Sequence, residues 1–177
     1  MIRSSRPVAL AALILAAAVS RSAAQTASIH ADFLKEWQGQ KDTLVKIAQA
    51  MPEDKYSFKS TPAQRSFGEH VMHIAQVNMM LLQTLGGKAP APQLDAKATS
   101  KADTIKAMSD TFDYGLAVLR EQTDQTMVGG VQGPPWMGFS TRARMVAFLI
   151  GHTQDTYGQM VVYLRLNGLV PPASQRP

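Results

Sequence analysis

Apolar residues recur every three or four positions in four stretches of the chain, and this spacing is typical of amphipathic helices. The expected limits are residues 27–51, residues 66–85, a helix that begins at Ser100, and a helix that runs from Ser140 or Thr141 to Asn167. The second helix opens with Ser66 followed three residues later by Glu69, which predicts a capping box. Four helices with no convincing strand predict an all-α protein, an antiparallel four-helix bundle.

Two connectors between these helices are rich in proline and glycine. Residues 88–99 form a proline-rich link, and residues 125–139 form a segment around Trp136 that is expected to be irregular. Each connector is long enough to cross the bundle, so the pattern alone leaves the order of the helix directions open. The last helix is apolar nearly all round, which indicates either a central position or a second face packed against another subunit.

Residues 1–24 have the features of a secretory signal peptide. Two arginines precede an unbroken apolar run over residues 8–19, and small residues surround a cleavage point after Ala24. The run is shorter than the roughly 20 apolar residues of a membrane-spanning helix, which disfavours an uncleaved anchor. We therefore expect an exported protein, periplasmic or secreted, whose residues 25–177 form one domain with no stable membrane anchor after cleavage.

Composition and charge exclude several classes of function. The 177 residues include no cysteine, so disulfides, thiolate zinc sites and a cysteine nucleophile are excluded. The formal net charge is +5, but three of the basic residues lie in the predicted signal peptide and no acidic residue does, so the mature chain is nearly balanced. No cluster of lysine and arginine is interleaved with aromatic residues, so we expect no nucleic-acid partner.

The histidines are the residues best suited to chemistry. His152 lies on the inward face of the last predicted helix, with Asp155 one turn further on, and polar groups in such a position need a metal ion or a hydrogen-bond network to satisfy them. His70 and His73 lie three residues apart on the second helix and project from neighbouring points of its surface. Spacing alone does not choose between them, and it does not choose between a metal site and a network. His30 is expected to have no role.

Several segments of the sequence resemble the DinB-like, or YfiT-like, four-helix-bundle family. The resemblance extends over nearly the whole mature chain and is carried by residues 51–59, Arg65–Glu69, His73–Ala75 and residues 152–174. It implies an up-down-down-up bundle that is often dimeric, with a divalent metal ion held by three histidines. Relatives include transferases and isomerases that use low-molecular-weight thiols. The predicted export disfavours a thiol-dependent reaction for this chain, because such thiols act chiefly in a reducing cytosol.

The resemblance assigns two of the three metal ligands to His73 and His152. The third family position is occupied by Thr156, whose hydroxyl is a poor ligand for zinc or nickel compared with imidazole. Asp155, His70 or water would have to complete the site for zinc, nickel or manganese. The sequence thus predicts an exported, homodimeric protein with a partly degenerate metal site, a metal-dependent transferase or hydrolase of unknown substrate. The alternative is a non-catalytic bundle that has lost the metal and binds a small ligand or a protein partner.

Overall fold

The structure is a computed structural model that describes residues 27–175, so the predicted signal peptide lies outside the described residues. The α-helices are α1 (Ile29–Ala50), α2 (Phe67–Leu82), α3 (Lys101–Arg120), α4 (Asp124–Met127) and α5 (Arg142–Leu166). Single turns of 3₁₀-helix follow α1 (Glu53–Lys55), α2 (Gln83–Leu85) and α5 (Pro172–Ser174). None of the helices within residues 27–175 has the length and apolar content that crossing a membrane requires.

The helix termini follow the signals in the sequence. The capping box at α2 is confirmed, because the Ser66 hydroxyl accepts from the Glu69 amide at 3.2 Å and the Glu69 carboxylate accepts from the Ser66 amide at 2.5 Å. Ser100 caps α3, and of the two candidates for α5 it is Thr141 that caps the helix. Gly168 adopts a φ of +72°, a conformation that suits glycine, and ends the last helix.

α1 runs antiparallel to both α2 and α3. The ring of His30, in the first turn of α1, shares a hydrogen bond of 2.8 Å with the Leu119 carbonyl at the end of α3. Lys101, the first residue of α3, donates at 2.6 Å to the Met51 carbonyl just after α1. The Tyr56 hydroxyl, on the connector before α2, donates at 2.9 Å to the Ala48 carbonyl. Both α2 and α3 therefore begin where α1 ends.

α5 returns in the direction of α1. Arg142, its first residue, donates at 2.8 Å to the Leu85 carbonyl just after α2, whereas Tyr163, near its end, donates at 2.6 Å to the Arg65 carbonyl just before α2. The directions are thus up, down, down, up, with the connector between α2 and α3 crossing the length of the bundle. The all-α four-helix bundle predicted from the sequence is confirmed.

One detail of the sequence prediction is wrong, because the segment before α5 contains two short strands. β1 (Gly130–Gln132) pairs antiparallel with β2 (Phe139–Thr141), with Val131 opposite Ser140. Gly138, at a φ of +69°, helps the loop to turn back, and its carbonyl accepts from the Gly133 amide. Strands of three residues are too short to show the alternation of apolar and polar residues by which strands are recognised in a sequence.

Candidate functional site

His73 of α2 and His152 of α5 face each other inside the bundle. Their Nε2 atoms lie 3.1 Å apart, and the ring centroids are separated by 5.0 Å at an interplanar angle of 65°. Both side chains are partly buried. The structure therefore brings together the two histidines that the resemblance assigns to one site, although they are separated by 79 residues in the sequence.

Contacts along α5 hold the His152 ring in place. The Phe148 ring stacks against it with a centroid distance of 6.4 Å and an interplanar angle of 19°, and Trp136 from the loop between the strands packs on Phe148 at 5.1 Å. On the buried side of the helix, the Thr153 hydroxyl donates to the Gln40 side chain of α1 at 3.2 Å. The orientation of His152 is thus set by an aromatic stack on one side and by packing against α1 on the other.

Both imidazoles are held in the neutral form. Burial, followed by the positive charge of Arg65, lowers the pKa of His73 to about 4, and burial is also the main cause of the lowered pKa of His152. In a neutral pair, one Nε2–H donates to the other Nε2. Neutral imidazole is also the form that binds metal ions, so this pair is already in the required protonation state at neutral pH.

The spacing of the two Nε2 atoms fits a shared metal ion. Metal–nitrogen bonds of about 2.0–2.1 Å place two imidazole nitrogens on one ion about 2.8–3.4 Å apart at angles between octahedral and tetrahedral. The observed 3.1 Å lies within this interval. However, the Nδ1 atom of His152 is buried without a hydrogen-bond partner, whereas the other ring nitrogen of a ligating histidine usually donates to an acceptor. The spacing of the pair therefore fits a metal ion, but His152 lacks the hydrogen bond that usually orients a ligating histidine.

The third family position does not contribute an imidazole or a free hydroxyl. Thr156 is buried, and its hydroxyl donates at 3.0 Å to the His152 carbonyl. The neighbouring Asp155 is exposed and accepts from Gln159 at 2.9 Å. Within the described part of the chain, no three histidine, aspartate or glutamate side chains come together in a group that could hold a metal ion.

His70 lies in the core, and its contacts are separate from those of the His73–His152 pair. It is only 1% exposed, neither ring nitrogen has a hydrogen-bond partner, and its ring packs edge-on against Tyr163 at 5.1 Å. Burial is the main cause of its lowered pKa. Of the other sequence candidates, His30 ties the start of α1 to the end of α3, which is a structural role.

A cleft of about 660 Å³ opens next to His73. Its walls come from the connector before α2, the first turns of α2 and the end of the connector before α3. Charged side chains along these walls are Lys59, Arg65, Glu69 and Lys97. No pattern in the sequence indicates that these residues form a site, because the two connectors that line the cleft lie some 30 residues apart in the chain.

The lowered histidine pKa values predict that the metal-free protein loses stability in mild acid. Histidines in the unfolded chain take up protons near pH 6.5, whereas these three histidines of the folded protein take up protons only at lower pH, because their pKa values are lowered. Their contribution to the free energy of unfolding is therefore fully present above about pH 6.5 and is lost as the pH falls below that value. We expect Tm, measured by circular dichroism with a chelator present, to fall by several degrees between about pH 7.5 and 5, since 1 kcal/mol corresponds to about 2–4 °C in a chain of this size.

The matched control for this measurement is His70→Leu, which removes one buried titrating group. The variant should show a shallower fall of Tm over the same interval. An equally steep fall in both proteins would show that His70 takes no part in the acid response.

The comparisons with known proteins agree with this architecture. A family model described as the DinB superfamily matches residues 36–160, which is more than half of the chain. The chain belongs to the DinB superfamily. No curated protein matches it.

The DinB fold is also seen in several solved structures similar to this chain. A DinB-like protein from Bacillus cereus ATCC 10987 has a TM-score of 0.70 at 21% identity, covering 82% of this chain and 96% of its own. A DinB-like protein from Bacillus subtilis has a TM-score of 0.63 at 15% identity, with coverages of 82% and 99%. YfiT from Bacillus subtilis, described as a probable metal-dependent hydrolase with an unusual four-helix bundle topology, has a TM-score of 0.63 at 15% identity, with coverages of 79% and 88%. At these identities the likeness shows the fold.

Proposed function

We propose that this DinB protein binds one divalent metal ion between His73 and His152 and acts as an exported metal-dependent hydrolase. The observation that carries the proposal is the 3.1 Å separation of the two Nε2 atoms inside the bundle. The description of YfiT as a probable metal-dependent hydrolase supports the same reading through the shared fold. Transfer of a group to an acceptor other than water would use the same residues.

The residues of the proposed metal centre have different roles. His73 and His152 would hold the ion through their neutral Nε2 atoms, and a bound divalent ion would supply an activated water molecule and polarise the bond to be cleaved. Phe148 stacks on the His152 ring and Trp136 packs on Phe148, so aromatic side chains lie on one side of the centre. The cleft beside His73 provides the space in which a small substrate can reach the pair.

A second function is favoured by two observations at the same place. The hydroxyl at the third family position is engaged with the His152 carbonyl, and His152 Nδ1 has no acceptor for the proton that a metal-bound imidazole would carry there. Both features weaken metal affinity. They support a bundle that binds a small ligand or a protein partner without a metal ion, with the two histidines hydrogen-bonded to each other.

Metal analysis of protein purified without a histidine tag separates the two functions. We expect close to one zinc, nickel or manganese per chain after incubation and dialysis, and we expect His152→Leu to lose the metal. His30→Gln is the matched control, because it removes a histidine that bonds to the Leu119 carbonyl and should keep the metal. Elemental analysis by mass spectrometry gives the stoichiometry.

Absence of bound metal in the unaltered chain, with no change of Tm on adding any of the three ions, would overturn the metal-dependent proposal. The second function then predicts that His152→Leu leaves Tm unchanged or raises it, because the substitution removes the buried Nδ1 that has no partner, while His73 lines the cleft, where water can replace the lost hydrogen bond.

Export is part of the proposal and rests on the signal-peptide pattern of residues 1–24. The homodimer expected from the sequence stays a prediction. Exposed apolar side chains on α5 agree with it, because Phe148, Val162 and Leu166 are 40%, 49% and 58% exposed.

A further inference from the structure

The charged walls of the cleft beside His73 carry an excess of positive charge. Lys59, Arg65 and Lys97 face a single acidic residue, Glu69. Lys59 and Glu69 pair with each other at 3.4 Å and so largely neutralise one another. Within residues 27–175, neither Arg65 nor Lys97 takes part in an ion pair. Two cations without a carboxylate partner therefore remain on the walls of a cleft whose volume suits a small molecule.

The backbone at the start of α2 cannot provide the binding site. The Ser66 and Glu69 amides donate within the capping box. The Phe67 amide donates to the Phe58 carbonyl at 3.0 Å, and the Gly68 amide donates to the Tyr56 carbonyl at 2.9 Å. These four N–H groups already have protein acceptors, so an anion in the cleft would have to be bound by side chains.

Arg65 is held in position by its backbone while its guanidinium is left without a carboxylate partner. Its carbonyl accepts a hydrogen bond of 2.6 Å from the hydroxyl of Tyr163, a side chain that is only 3% exposed. The same hydroxyl accepts from Ser60 at 3.2 Å, so α5 fixes the connector at two points. Arg65 and His73 line the same cleft.

We propose that the cleft binds the oxyanion end of a small molecule, a carboxylate or a phosphate, at Arg65 and Lys97, with the remainder of the molecule extending toward His73. Guanidinium groups bind such oxyanions with two parallel hydrogen bonds, and a lysine ammonium adds a point charge. As the substrate class of the His73–His152 centre, the inference rests on the proposed function. Anion binding itself requires only the cleft.

Titration with inorganic phosphate and, separately, with succinate tests the proposal. Both are added to ¹⁵N-labelled protein in the presence of a chelator, at an ionic strength kept constant with chloride, and backbone and arginine side-chain resonances are followed by NMR. We expect saturable shifts confined to residues that line the cleft, among them Gly68 and Lys97. Tighter binding of phosphate points to a phosphorylated ligand and tighter binding of succinate to a carboxylate ligand, and either ranking supports the proposal.

Variants identify the binding residue. Arg65→Gln should weaken binding at least about tenfold, the loss expected when one charge-assisted contact is removed. Arg65→Lys should retain part of the affinity. Arg120→Gln removes the same charge from an exposed position at the end of α3, outside the cleft, and should leave the affinity unchanged. Equal weakening by Arg65→Gln and Arg120→Gln, or shifts that do not saturate, would overturn the proposal.

The test is independent of the metal. His152→Leu should abolish metal uptake but leave phosphate binding as it is, because His152 does not line the cleft. A chain that takes up no metal and still binds phosphate through Arg65 contradicts the proposed function while supporting the cleft. Loss of phosphate binding in His152→Leu with retention in Arg65→Gln would place the anion elsewhere and overturn the cleft proposal.

Discussion

Thr156→His should raise the affinity of the protein for zinc or nickel by about two orders of magnitude or more, since even the loss of a residue that only supports a metal ligand costs about 10–100-fold. Position 156 lies one helical turn after His152 and so shares its face of α5. An imidazole there would supply the third ligand that the family resemblance implies. The present threonine directs its hydroxyl to the His152 carbonyl instead.

Two measurements check this expectation. Isothermal titration calorimetry gives the change in Kd directly. Thermal unfolding gives the change in Kd independently. A saturating ligand that binds the folded state a hundredfold more tightly adds about 2.7 kcal/mol to the free energy of unfolding. The larger side chain replaces a buried residue, so the metal-free variant should be less stable than the unaltered protein and should recover on addition of the ion.

Gln154→His is the matched control for Thr156→His. It adds a histidine to the same helix at an exposed position that points away from the face of His152. It should leave the metal affinity unchanged. Equal gains from the two variants would show that any added histidine binds metal and that position 156 is not aimed at the pair.

Gly115→Ala should have the largest effect on stability, lowering the free energy of unfolding by about 3 kcal/mol. A Cβ atom at position 115 of α3 would lie 2.5 Å from Nε1 of Trp37, a side chain of α1 with no exposed surface. The ring would have to move, and its hydrogen bond of 3.0 Å to the Phe112 carbonyl would be lost. These costs exceed the gain of up to about 1 kcal/mol that alanine normally brings to a helix.

Urea unfolding of Gly115→Ala and Gly151→Ala provides the measurement and its control. Gly151 lies within α5, and a Cβ atom there would meet nothing within 4 Å. The second variant should therefore be more stable than the unaltered protein by up to about 1 kcal/mol. If Gly115→Ala were as stable as Gly151→Ala, close packing of α3 against Trp37 could not be what requires glycine at position 115.

The parts of the fold that local rules govern could be predicted from the sequence. Capping residues such as Ser66, Ser100 and Thr141 lie where a hydroxyl satisfies the first amides of a helix, and this requirement involves only neighbouring residues. The hairpin before α5 could not be predicted in the same way. Its three-residue strands are held by pairing between Val131 and Ser140 and by a glycine turn rather than by a pattern within either strand.

The pairing of His73 with His152 could be predicted only from the family resemblance. Spacing places His70 and His73 on one helix but does not say which of them meets α5, because helix rotation is set by packing of the whole bundle. The structure directs His73 to His152 and buries His70 against Tyr163. The cleft depends on two connectors far apart in the sequence, so no local pattern could indicate it.

The helix directions also decide how the molecule would face its surroundings. The cleft lies at the end of the bundle where α1 finishes and where α2 and α3 begin, whereas the start of α1 is at the opposite end. A tether attached ahead of α1 would therefore hold the protein with its cleft turned outward, away from the surface to which it was fixed.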